Sequence, residues 1–528
     1  MIRWIVYGVV LVVGLGAGHP PVAGHAGVPT GQQGFADPAR RTKLATAFAD
    51  IDELFADFAR RGNVPGAAWG IIIDGELAHS GVFGARDVAV KAPVRPDTVF
   101  RIASMTKSFT ALAILKLRDD GMLSLDDPAE RYVPELKDLR YPTSDSPRIT
   151  IRHLLSHAPG FPEDNAWADR HLHESHDWLA GMMRQGIPFS NAPGLAYEYS
   201  NFGFGILGRI VTAASGVPYN DYIQTHILTP LNMPSTTLDP TIVPLDRLAL
   251  GYRWEDDQWK DEALLPDGAF GAMGGMLTTI PDLARYVGAL LEAFPARDGA
   301  ETGPVARSSM REMQQIARTR PAIVTRGSSG AAELNAGGYG FGLRVTQSCD
   351  FGHVVAHGGG LPGFGTLMQW LPEHGVGIIT FANRTYTGWG GVVTSAFTRL
   401  AATGGLQPRS ATPAPALVEA RDVVSRLVTE WDDEAIDRIA ADNLFLDRDR
   451  TRRRADVDAL RAKVGRCQAP AGFDFVENAL RGEWTLACER GAARLSVTLA
   501  PTMPPKAQVI TVRAVGSTEP AVRSYCPQ

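Results

Sequence analysis

A chain of 528 residues, 45% of them apolar and 21% charged, has the composition of a folded protein and length enough for two or three domains. Its net charge of −5 argues against a nucleic-acid partner. The four cysteines form no C-x-x-C pair, so no cysteine-built zinc site is expected.

The chain opens like a secretory signal. Arg3 supplies the basic start, Ile5 to Leu15 the apolar core and Gly24-His25-Ala26 a small-residue cleavage site. The apolar run is shorter than the roughly 20 residues a spanning helix needs. A cleaved signal over 1–26, export to the periplasm or medium, and no stable membrane span are therefore expected. Residues 27–39 are expected as a flexible tail. Leu44, Phe48, Ile51, Leu54, Phe55 and Phe58 then recur at helical spacing. Ala67 to Ile73 and Glu76 to Phe83 flank Asp74-Gly75, a strong hairpin signal. Ser104 to Asp119 reads as a helix that Gly121 closes.

The middle of the chain is helical and loop-rich. Leu154 to Gly160 ends one helix, Phe202 to Ala214 forms another, and Pro281-Asp282-Leu283 opens a third after the glycine-rich stretch 271–279. Strands return at Tyr339 to Val345, His353 to His357, Thr366 to Leu371 and Val376 to Phe381, before a helix over Val392 to Ala401. Strands at both ends and helices between predict an α+β domain over 40–405, with one antiparallel sheet, flanking helices and an inserted helical region. A Pro-rich linker is expected over 406–416. A small α+β accessory domain follows over 417–528, helical over 417–439, with strands near 480–486, 493–499 and 508–515. Export places the cysteines in an oxidising compartment. A Cys467–Cys488 bridge is predicted; it closes a loop of about 20 residues and is worth roughly 3 kcal/mol in the chain-entropy model. The pairing of Cys349 and Cys526 stays open.

Chemistry concentrates in three places. Ser104 and Lys107 lie three apart at the start of an apolar helix, so hydroxyl and amine share one face. The free N–H groups and positive dipole of a helix start suit the oxyanion formed when a serine attacks a carbonyl. Lys107 has to be neutral to take the serine proton, which means moving a pKa of about 10.4 to near 7, about 4 kcal/mol. A helix dipole supplies only about 0.3–1 kcal/mol, so burial is expected to do most of it. Second, Tyr199 and Asn201 stand two apart on an expected loop, able to reach one cavity. Third, His357 ends a strand and is followed by Gly358, Gly359 and Gly360, which let a substrate backbone approach the strand edge.

In order and surroundings these three elements resemble the serine β-lactamase and penicillin-binding-protein superfamily over roughly residues 42–404. The resemblance implies that Ser104 is the acylated nucleophile, Lys107 its base and Tyr199 a proton carrier. It further implies that Asn201 orients substrate, that His357 and Gly359 line the pocket, and that the N–H groups of Ser104 and Gly360 form the oxyanion hole. No cofactor or metal is implied. Many β-lactamases have lysine-threonine-glycine at the third element; His357-Gly358-Gly359 is similar to some D-alanyl-D-alanine carboxypeptidases, D-aminopeptidases and β-lactamase-like esterases. The expected protein is an exported serine hydrolase acting on a small-molecule or peptide substrate, cell-wall-derived peptides among the candidates: a D-amino-acid peptide, a β-lactam or a small ester. A carboxylesterase and a non-catalytic peptidoglycan-binding sensor remain as alternatives. Protonation of His357 between about pH 8 and 6 is expected to add charge toward a substrate carboxylate. The cluster His171, His173, Glu174, His176 and Asp177 lacks an H-E-x-x-H pattern and reads as a polar surface loop.

Overall fold

Asp74 and Gly75 both take left-handed backbone, with φ of 53° and 82°, as a two-residue hairpin requires if it is to follow the strand twist. They join strands Gly66–Ile73 and Glu76–Asp87. The first of these pairs on its other side with Val376–Ala382, so the two ends of the domain close one antiparallel sheet. The computed structural model describes residues 34–326 and 332–515. The expected signal segment, the first part of the tail and Cys526 lie outside the described residues.

From Glu76–Asp87 the sheet runs through Gly66–Ile73, Val376–Ala382, Phe364–Leu371, Gly352–Leu361 and Arg344–Ser348 to Ala332–Tyr339, with short strands beyond both ends. Gly66–Ile73 and Val376–Ala382 are buried along their whole length. They read as continuous apolar runs because both faces of the sheet are covered. Ala68 and Ile72 join the larger core, with Phe109, Ile206 and Leu283 of helices Thr106–Asp119, Asn201–Ser215 and Ile280–Glu292. Trp69, Ile71 and Ile73 join Phe55 and Phe397 of helices Phe48–Arg61 and Gly390–Ala402 on the other side.

Three expectations for this unit need correction. The stretch from Tyr339 to Val345 is no single strand: Ala332–Tyr339 ends there, residues 340–343 turn with Gly342 at φ 67°, and Arg344–Ser348 runs back. The alternation of Tyr339, Phe341 and Leu343 masked that reversal, which Gly340 and Gly342 signalled. The strand bearing His357 does not stop at the histidine but continues through the three glycines to Leu361. Residues 34–39 and the expected linker are pinned to the fold. Ser410 donates its N–H to Gly34 O, Arg409 its N–H to Glu373 O, and the Arg40 guanidinium stands 3.7 Å over the Phe35 ring.

A second compact unit begins at Ala411. Pro415 opens helix Pro415–Thr429, at a position where its missing N–H costs nothing. Helices Asp433–Ile439 and Arg450–Val464 follow, then a sheet of Phe475–Asn478, Arg481–Cys488, Gly491–Leu499 and Ala507–Val515 in sequential order. Trp484, Leu495 and Val497 pack beneath Leu417, Val424 and Leu460. The helix Arg450–Val464 was not legible, since of its fifteen residues only Val457, Leu460 and Val464 are buried. Cys467 and Cys488 are bridged, and Cys349 is disulfide-bonded as well.

Candidate active site

Ala103 carries a left-handed φ of 50°, rare for a residue with a side chain. It turns the chain sharply between the short strand Phe100–Arg101 and a 3-10 turn, Ala103–Met105, that feeds helix Thr106–Asp119. Ser104 therefore stands one turn ahead of the α-helix that was expected to contain it, and is 6% exposed. Lys107 is fully buried, and its Nζ donates to Ser104 Oγ at 3.0 Å and to Met273 O at 2.8 Å. Burial pushes the lysine down to a pKa of about 7; Asp169 and Asp164 oppose the shift and Arg344 adds to it. Near neutral pH the amine is thus held partly unprotonated beside a serine hydroxyl.

Tyr199 completes the other side of the serine. Its ring lies 4.9 Å from Lys107 Nζ, and the Ser104 hydroxyl beside it favours the phenolate slightly. Burial drives the phenol well above its ordinary range, so it stays protonated and is suited to passing a proton rather than to acting as the base. Asn201 is not on a loop but is the first residue of helix Asn201–Ser215, whose cap is Ser200 accepting from Gly203 N. Asp164 anchors this helix start: it accepts from Asn201 N at 2.6 Å, from Phe202 N at 2.8 Å and from Ser200 Oγ at 3.0 Å. Asn201 Nδ2 donates to Asn165 Oδ1 at 3.2 Å, while its buried Oδ1 has no hydrogen-bond partner among the described residues.

The glycine strand forms the facing wall. Its pairing with Arg344–Ser348 ends at Ala356↔Arg344, whereas its pairing with Phe364–Leu371 continues to Leu361. Residues 357–361 therefore present one edge that no strand occupies among the described residues. Gly359 passes so close to the turn before Ser104 that a Cβ there would lie 2.0 Å from Ile102 O. Thr366 Oγ1 ties the same Ile102 O to the sheet at 3.0 Å. A Cβ on Gly360 would meet the Tyr386 ring at 2.7 Å, and Tyr386 in turn donates to the buried Asp169 carboxylate at 2.9 Å. Burial raises Asp169 to a pKa of about 6.

His357 departs from its expected part. Its Nδ1 donates to Gly358 O at 2.7 Å and its Nε2 accepts from Tyr339 at 2.8 Å, so both ring nitrogens are engaged. It is fully buried, and burial, Arg344 and Lys107 hold it well below the ordinary histidine range. That environment opposes the charge that His357 was expected to gain between pH 8 and 6. The exposed cation of this wall is Arg344, which forms no ion pair with the described residues and whose charge is felt by Lys107, Tyr199 and His357. Arg344, Asp164, Asp169, Tyr339 and Tyr386 escaped the sequence reading because none lies beside a motif; the one local signal was Asp164-Asn165 ahead of a short helix. His171, from the set-aside cluster, stacks on Trp178 and bonds Glu174.

A helical wall and a sheet edge meeting over a buried serine–lysine pair are the arrangement of the β-lactamase and penicillin-binding-protein class. The Beta-lactamase family model matches residues 51–403, and the chain belongs to that family. It is 29% identical over 339 residues to Protein flp of Staphylococcus aureus (strain MW2), a match covering 63% of this chain and 62% of that protein. It is 28% identical over 327 residues to Penicillin-binding protein 4* of Bacillus subtilis (strain 168), covering 59% of this chain and 66% of the relative. The chain thus spans less than two thirds of the length of these curated relatives. Among solved structures, the octameric penicillin-binding protein homologue from Pyrococcus abyssi superposes with a TM-score of 0.57 at 21% identity, over 89% of this chain and 94% of that one.

Proposed function

We propose that the chain is an exported serine hydrolase that cleaves an amide or ester through an acyl-enzyme on Ser104. The observation that carries this reading is the 3.0 Å contact between Ser104 Oγ and a fully buried lysine held near neutrality. In the proposed cycle neutral Lys107 takes the serine proton as Oγ bonds to the substrate carbonyl carbon. The N–H groups of Ser104 and Gly360 stabilise the oxyanion, and Tyr199 passes a proton to the leaving nitrogen or oxygen as its bond to carbon breaks. Water then releases the acyl group by the reverse sequence. Asn201, with an open carbonyl oxygen, would receive an N–H from the acyl side of the substrate. The disulfide at Cys467–Cys488 supports export, and no described helix is long and apolar enough to cross a membrane.

Intact-mass measurement after incubation with a fluorophosphonate, a β-lactam and an ester tests the nucleophile. A covalent adduct is expected on Ser104 and none in Ser104→Ala. Wild-type hydrolysis by Ser104→Ala would overturn the assignment, and an unreactive wild type would favour the binding-protein alternative.

Arg344 supports a preference for substrates with a carboxylate on the leaving-group side, the function first expected of His357. A hydrogen bond to a charged group is worth about 1.5–3 kcal/mol, so Arg344→Ala should lower kcat/KM for a carboxylate substrate roughly 10- to 100-fold relative to its neutral ester. Because burial opposes protonation of His357, the ratio of the two substrates should stay flat from pH 6 to 8. An unchanged ratio in Arg344→Ala removes this residue from substrate recognition.

A further inference from the structure

We propose that His157 is the positioning residue for Tyr199, gripping the backbone on both sides of the tyrosine and packing against its ring, so that it sets where the phenol stands over Ser104. The inference rests on the reading of Tyr199 as the proton carrier. His157 O accepts from Glu198 N–H at 2.8 Å, and His157 Nδ1 accepts from Ser200 N–H at 3.0 Å. The imidazole and phenol rings lie 4.2 Å apart, centroid to centroid. Residues 198 to 200 are thus held at three points by one side chain and its own carbonyl.

The chemistry of the contact specifies histidine. Nδ1 acts as an acceptor only in the neutral tautomer that carries its proton on Nε2. Burial, with the charges of Lys107 and Arg344 beside it, keeps the ring neutral. Nε2 has no hydrogen-bond partner among the described residues, and the imidazole ring packs against those of Tyr197, Phe204 and Tyr339. It is therefore turned to packing rather than to proton transfer with Ser104. The residue adopts left-handed backbone, φ 54°, which a side-chain-bearing residue keeps only where its surroundings over-determine it. The same ring packs 4.4 Å from Tyr339, the partner of His357, so it also braces the sheet wall.

Leaving-group dependence separates a positioning role from simple stabilisation. An activated aryl ester expels a phenolate that needs no proton, whereas an amide nitrogen has to be protonated before its C–N bond breaks. In His157→Leu, single-turnover acylation of Ser104 by an amide should slow roughly 100-fold while acylation by the aryl ester changes less than about threefold, deacylation being common to both. Asparagine offers an acceptor near the Nδ1 position, so His157→Asn should recover most of the amide loss. Tyr199→Phe should show the same split, and adding His157→Leu to it should cost little more, because the two act through one group. Should leucine prevent folding, His157→Gln, checked for folding by fluorophosphonate labelling of Ser104, is expected to show the split. Equal loss on both substrates, or no loss where Tyr199→Phe shows a split, overturns the role of His157. A Tyr199→Phe variant with no split overturns the reading of Tyr199 itself.

Discussion

Lys107→Met should lower turnover by several orders of magnitude, because a nucleophile and its base act as a unit whose loss costs up to about 10⁶ in kcat. Single-turnover acylation of Ser104 is the measurement. In the wild type the acylation rate should rise about tenfold per pH unit up to about 7 and then level, as Lys107 loses its proton. Asp169→Asn removes a negative neighbour that favours the ammonium, so it should move this limb to lower pH. The same burial has a stability consequence of opposite sign. A lysine whose folded pKa lies below its unfolded value of 10.5 destabilises the fold; the penalty is absent above that value and complete below about 7. At neutral pH it is on the order of 4 kcal/mol. Lys107→Met should therefore be inactive yet melt higher than the wild type at pH 7, and no higher near pH 11. A methionine variant that keeps acylating, or melts lower at pH 7, would contradict the role and the energetics respectively.

Three consecutive glycines should respond to alanine in three ways. At Gly359 a Cβ would stand 2.0 Å from Ile102 O and 2.3 Å from Thr366 Oγ1, so the strand has to retreat from the Ser104 turn. That retreat separates the proposed oxyanion donors, each typically worth about 10²–10³ in rate. Gly359→Ala should lose kcat by about that factor, with roughly 1–3 kcal/mol of stability. At Gly358 the nearest atom to a Cβ is 3.7 Å away, so Gly358→Ala should behave like the wild type. At Gly360 the obstacle is the Tyr386 side chain, 49% exposed and able to swing, so an intermediate loss is expected. Kinetics and melting curves of the three variants check this order. A Gly359→Ala enzyme as active as Gly358→Ala would mean that the strand is not held at the serine turn as described.

Local and periodic features were written in the sequence. Asp74-Gly75 between two apolar runs specified the hairpin, and the adjoining Ile71, Ile72 and Ile73 its buried strand. The i, i+3 spacing of Ser104 and Lys107 specified their contact, because helix geometry alone brings such groups together. The Cys467–Cys488 bridge was expected from their closeness in the chain, with Cys488 at the end of a predicted strand, and it is present. Where the signal depended on long-range cover it failed: the polar helix Arg450–Val464 shows too few apolar residues, and the Tyr339–Val345 alternation concealed a turn.

The electrical state of the site belonged to the tertiary structure. Whether Lys107 is neutral depends on burial, on Met273 O 166 positions away and on Asp164 and Asp169 from an inserted loop. Whether His357 carries charge depends on Tyr339 and on being sealed within the sheet wall. His157 reaches Tyr199 only because the chain folds back over 43 positions to place Ser200 N–H at its Nδ1. A motif names the groups that can react; desolvation and through-space charge set their protonation, and those arise only once segments distant in sequence are packed together.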